Sequence, residues 1–134
     1  MDNQKLVYIC APYKIGSAFQ FFYNDFERER NILSVKSYGA FALKKGKVPY
    51  INHLITREIL DDAIEGERNI RIEADRTMLQ MCSEFWVFGR IVTKDMKIEL
   101  QEAIQSELKI RWFTTKCVEY SEEIRNQLLE MYKL

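Results

Sequence analysis

Glu99 lies within "VTKDMKIELQEA", Val92 to Ala103. At 100° per residue, Met96, Leu100, Ala103, Ile104 and Leu108 share one apolar arc, and Glu99 falls just outside its rim. Periodicity alone makes it a helix-edge charge. The chain has one histidine, His53, and three widely spaced cysteines, Cys10, Cys82 and Cys117. These argue against a Ser-His-Asp triad, a zinc site and a disulfide framework. Catalysis here must rest mainly on carboxylates, and neither a metal nor a cofactor is expected.

The bulk composition narrows the class. A chain of 134 residues, 47% hydrophobic and 30% charged, fits one globular domain over 1–134 with a real core. Its 20 basic and 20 acidic residues cancel, and no basic stripe stands out. A nucleic-acid polymer is therefore not an expected partner. No apolar run approaches the ~18 residues a membrane span needs. The start "MDNQKLVYIC" lacks a signal-peptide apolar region, so a cytoplasmic protein with no membrane partner is expected.

The elements that must carry Glu99 are legible in outline. "KLVYICA" and "EFWVFG" read as strands buried on both faces. "KVPYIN" is a short strand whose Pro49 puts it at a sheet edge, and "KIRWFT" is a fourth. A helix is predicted from Asn31, acting as N-cap, to the "KKG" that ends at Gly46. Another covers "NIRIEADRTMLQMC", with Ile70, Ala74, Met78, Leu79 and Cys82 inward. A third runs from about Lys94 to Leu108, and the last begins at a Ser121 cap. "HLITREILDDAIEGER" reads as a polar connection holding about one helical turn.

Strands alternating with helices predict an α/β, flavodoxin-like, doubly wound and mainly parallel sheet. It has about four to five strands in the order 2-1-3-4, with helices on both faces. The crevice then opens between the carboxyl ends of the first and third strands. It is bordered by "PYKIGS", which carries Tyr13 and Ser17, and by "GRIVTKD", which carries Arg90 and Thr93. His53 reads as a structural hydrogen-bonding residue, and Cys10, Cys82, Trp86 and Phe88 as core.

Four stretches in this order, "VYICAPY", "NILSVKSYGAFALKKGKVPYINHL", "CSEFWVFG" and "TKDMKIELQEA", resemble the nucleoside 2-deoxyribosyltransferase superfamily, nearest to a bacterial and phage branch. The likeness covers roughly Leu6 to Phe113. It implies that Glu99, spaced from Met96 and Ala103 as in the family motif, is the nucleophilic carboxylate. It further implies that Asp75 handles the nucleobase or its proton, and that Thr93 is the hydroxyl residue before the glutamate. Tyr13 to Ser17 then touch the sugar or a 5′-phosphate. Where the family has glycine before the methionine this chain has Asp95, and where it has aspartate after the cysteine this chain has Ser83. The first loop and helix carry about ten extra residues rich in phenylalanine.

The activity so implied is cleavage or transfer of an N-glycosidic bond in a nucleoside or nucleotide. One carboxylate attacks the anomeric centre and another manages the proton. A helix N-terminus favours the Glu99 anion by ~0.3–1 kcal/mol, and Asp95 opposes it by like-charge repulsion. Expected catalytic residues are Glu99 and Asp75; expected substrate contacts are Tyr13, Ser17, Arg90, Thr93 and Met96. The competing reading is a nucleotide-binding module without turnover, or a phage accessory protein acting through protein contacts. Phe19, Phe21, Phe22 and Phe26 suggest a homodimer or larger homo-oligomer, with neighbouring subunits helping to close the site.

Overall fold

The apolar, β-branched run Leu6–Cys10 forms β1, the strand around which the sheet is organised. The computed structural model describes residues 4–13 and 20–132, the side chains of 20–25 excepted. After β1 come α1 (Gln20–Lys44), β2 (Val48–Tyr50), a 3-10 turn (Asn52–Leu54) and the single-turn α2 (Thr56–Ile59). They are followed by α3 (Glu67–Met81), β3 (Glu84–Phe88), α4 (Lys94–Gln105), β4 (Lys109–Phe113) and α5 (Glu122–Met131). The four strands form a parallel sheet in the order β2-β1-β3-β4. This is the doubly wound α/β arrangement expected, with the Pro49 strand at an edge where its missing N–H costs no ladder bond.

Alternation along β1 divides the core into two layers. Val7, Ile9 and Ala11 face α1, where they meet Val35, Tyr38, Ala42, Trp86, Phe88 and Phe113. Tyr8 and Cys10 face the opposite way, toward Leu79 of α3, Met96 and Leu100 of α4 and Leu128 of α5. α1 thus covers one face of the sheet, and three helices cover the other. Gly39 permits the close approach of α1, since a Cβ there would lie 2.7 Å from Ile51 Cδ1. Gly89 ends β3 at φ +84, a left-handed turn, and its carbonyl accepts from the Trp112 indole at 2.6 Å.

Two helices differ from the sequence expectation. α1 begins well before Asn31, which is therefore not a cap; its amide instead donates to the Tyr13 carbonyl at 2.9 Å. In α3, Ile70 is 60% exposed, and the inward residues are Arg71, Asp75 and Leu79. Leu79 and Cys82 are buried and Met78 packs on the core as expected; periodicity fails at Ile70, because the inner face of the first half of α3 is Arg71 and Asp75, polar and internally paired. Ser121 does cap α5, accepting from the Ile124 N–H at 3.2 Å. Among the described residues no helix is long and apolar enough to cross a membrane.

Candidate active site

Thr93 sets the position of α4. Its hydroxyl accepts from the Met96 N–H at 3.3 Å, and its own N–H donates to Met96 Sδ at 3.4 Å. With Met96 locked into the core, Glu99 in the second turn faces β1. Tyr8 donates its hydroxyl to Glu99 Oε2, and Asn52 Nδ2 reaches the same oxygen at 3.3 Å. Among the described residues Oε1 meets only the Cys10 thiol, at 3.8 Å. Oε2 therefore accepts from two donors, while Oε1 has no N–H or O–H donor among the described residues.

Burial pushes the Glu99 carboxyl up to about 7. The Tyr8 hydrogen bond opposes this, the nearby Asp75 charge adds to it, and the Arg57 and Arg71 charges oppose it. Near neutrality such a group exists in both forms, as acid–base and nucleophilic chemistry requires. The helix terminus therefore does not keep Glu99 a ready anion, as sequence reasoning expects: desolvation outweighs it. Tyr8 keeps its proton, because burial and then the Glu99 charge drive its hydroxyl well above the ordinary tyrosine value.

Asp75 is 3% exposed and fully engaged. Its Oδ1 accepts from Tyr50 at 2.8 Å and Thr56 at 2.7 Å, and its Oδ2 from Asn52 at 3.0 Å and Arg71 at 3.1 Å. It ties α3 to the end of β2 and to α2, and lines a smaller cavity of about 120 Å³ with Tyr8 and Glu99 rather than the wall of the main pocket. Asp95, expected to repel Glu99, is itself neutralised. It accepts from Arg57 at 3.0 Å, Arg68 at 2.7 Å and Arg71 at 3.3 Å. Burial works against its ionisation, but these hydrogen bonds and charges outweigh it and hold its carboxyl below the usual range. Asp62 takes the remaining edges of Arg57 and Arg71, at 3.0 and 2.7 Å.

A pocket of about 900 Å³ opens beside Glu99, within the size range of small-molecule sites. Ala11 and Tyr13 follow β1 and residues 91–95 follow β3, so it lies at the carboxyl ends of the strands where the sheet order reverses. Tyr13, Thr93, Met96 and Glu99 all line it. The Tyr13 ring lies 4.4 Å from the Arg57 guanidinium and edge-on to His53 at 5.3 Å. Arg90 is elsewhere: exposed, it donates to the Tyr120 hydroxyl at 3.2 Å and lies over that ring. Ser17 lies outside the described residues.

His53 also lines the pocket and is 2% exposed. Its Nε2 lies 2.9 Å from the Pro12 carbonyl, which can only accept, so Nε2 carries the proton and Nδ1 is a bare acceptor. Nδ1 has no partner among the described residues. Burial lowers the imidazole to about 4, so the ring is neutral at pH 7. Among the described residues no three His, Cys, Asp or Glu side chains are grouped to hold a metal ion.

Sequence reasoning missed Tyr8, Tyr50, Asn52, Arg57 and Arg71. Two signals were present. Tyr8 interrupts an otherwise apolar strand with a hydroxyl that must find a partner when buried. Arg71 and Asp75, at i and i+4, are also spaced to pair on one helix face.

The family model described as a domain of unknown function, DUF7768, matches residues 5–113. The chain belongs to the DUF7768 family. No curated protein matches it. The matched span of this DUF7768 domain runs from before β1 to the end of β4 and includes Tyr8, Asp75 and Glu99. α5 follows the span and packs Leu128 onto the α4 side of the core.

Proposed function

We propose that this DUF7768 domain cleaves or transfers the N-glycosidic bond of a nucleoside or nucleotide, with Glu99 as the nucleophile. The carrying observation is the unequal treatment of its two oxygens. Oε2 is held by Tyr8 and Asn52, while among the described residues Oε1 has only a thiol beside it. In the ionised form Oε1 attacks the anomeric carbon, the base departs with the bonding pair, and a glycosyl ester forms. Water or a second base then resolves the ester. The resemblance to nucleoside 2-deoxyribosyltransferases supports the same assignment. Asp75 serves as a positioning residue for Asn52. Incubation with nucleosides and nucleotides tests the proposal. Free base is expected, with kcat/KM rising through pH about 7 as Glu99 ionises, and Glu99→Gln is expected to release none. Wild-type turnover by that variant sinks the assignment.

A second reading, a binding protein without turnover, draws support from Asp75, which is too fully engaged to hand a proton to a departing base. Ligand binding with every base left attached would select it. We further propose self-association through α1, which exposes Phe26 and Leu33. The side chains of Phe21 and Phe22, and Phe19 itself, lie outside the described residues. Light scattering that shows a monomer at micromolar concentration overturns this proposal.

A further inference from the structure

We propose that the substrate taken by Glu99 is a nucleoside whose base carries a positive charge and whose sugar carries no phosphate, of the N7-alkylpurine or pyridinium type. This rests on the reading of Glu99 as a glycosidic nucleophile.

The first argument concerns the leaving group. A neutral base departs as an anion unless it is protonated, so its cleavage needs an acid beside it. Among the described residues, the groups next to Glu99 do not supply one. Asp75 has both oxygens filled by donors. His53 spends its N–H on Pro12, and its other ring nitrogen carries no proton. Tyr8 donates to the nucleophile itself. A cationic base departs neutral and needs no proton.

Charge is the second argument. Three arginines at the site, Arg57 on the pocket wall with Arg68 and Arg71 beside it, are each already bound by both Asp62 and Asp95. Four further acids on the pocket wall, Glu29, Glu58, Asp61 and Glu67, form no ion pair among the described residues. Besides Arg57, Arg28 and Lys94 supply the positive charge on that wall. Among the described residues of that wall the excess is negative, which draws in a cation and repels a phosphate.

The balance of atoms and electrons makes the idea measurable. The C1′–N bond breaks with its pair going to the base nitrogen, which cancels the positive charge. Glu99 Oε1 forms the C1′–O bond. Water then attacks C1′, the carboxylate leaves, and the water proton passes to solvent. Each cationic substrate hydrolysed therefore releases one proton, whereas a neutral nucleoside releases none, because its base retains that proton.

The experiment offers wild-type protein 7-methylguanosine, nicotinamide riboside, their 2′-deoxy forms, their 5′-monophosphates and guanosine. Free base is followed by chromatography and proton release by a pH indicator. The expected result is one proton per base, with kcat/KM for the unphosphorylated cations roughly tenfold or more above their 5′-monophosphates. The double reversal Glu29→Lys with Glu58→Lys, at exposed positions outside the nucleophile's contacts, is expected to raise KM for the cations and narrow that ratio. Preference for the monophosphates, equal or faster cleavage of guanosine, or a ratio unmoved by the double reversal overturns the inference and leaves the glycosidase reading standing. Base release from none of them sinks both.

Discussion

A single amide joins the two buried carboxylates: Asn52 Nδ2 donates to Asp75 at 3.0 Å and to Glu99 at 3.3 Å. Its two hydrogens suit this bridge, one for each acid. The distance between α3 and α4 at the site, and the direction of Glu99, both pass through this side chain.

Asn52→Asp replaces that donor pair with a third carboxyl. The cluster is then expected to take up a proton, moving the Glu99 titration further above about 7. Stability should fall more at pH 8 than at pH 5, as urea titrations at the two values would read. Equal losses would show that the amide acts by shape alone.

Glu99→Gln is expected to stabilise the fold at high pH. The Glu99 carboxyl lies at about 7 in the folded protein against 4.5 unfolded, so its contribution is fully present below 4.5 and lost as pH rises through 7. The penalty above that range is on the order of 3 kcal/mol. Thermal melts should place the variant above wild type at pH 8 and level with it at pH 4.5.

His53 works in the opposite direction over nearly the same range. Its imidazole falls from 6.5 to about 4 on folding, so the stability it confers is present above 6.5 and lost as pH drops through 4. In wild type the two groups offset one another between about 4.5 and 6.5. With Glu99→Gln the offset vanishes, and a steeper loss of stability on acidification is expected across that window.

Arg71→Met removes the guanidinium that meets Asp62, Asp75 and Asp95 while 2% exposed. Asp75 is left buried without its cation, and a loss of about 3–5 kcal/mol is expected in urea unfolding. A loss below about 1 kcal/mol, in the range of a surface ion pair, would mean the network is solvated.

Asp95→Gly frees one N–H donor on each of Arg57, Arg68 and Arg71. Inorganic phosphate is expected to bind this variant about tenfold more tightly than wild type by calorimetry, with some stability lost. Unchanged phosphate affinity would show that Asp62 satisfies the arginines unaided.

The strand order was legible because each strand carries its own mark: apolar runs for β1 and β3, and Pro49 for the edge. The inner face of α3 was legible at Leu79 and Cys82 but not at Arg71 and Asp75. Pattern reading assumes that buried means apolar, whereas Arg71 and Asp75 are buried because each neutralises the other. Glu99 stands out by motif spacing rather than by physics, since the features that set it apart come from strands about ninety residues away. Asn52 and Arg57 become site residues only when the chain is folded, as no local pattern distinguishes a paired polar group from a solvated one.

α1 holds 25 residues, a rod of about 37 Å, against roughly 17 Å for a five-residue strand such as β1. Among its described side chains the first fully buried one is Val35, while Arg28, Glu29 and Ile32 reach the pocket wall. The C-terminal half of the helix thus holds the sheet, and the turns ahead of it supply wall to the site. A helical turn inserted or removed ahead of Val35 shifts that wall by about 5.4 Å along the helix axis. The position of the wall in this architecture is therefore adjustable by insertion or deletion alone, independently of the residues that hold Glu99.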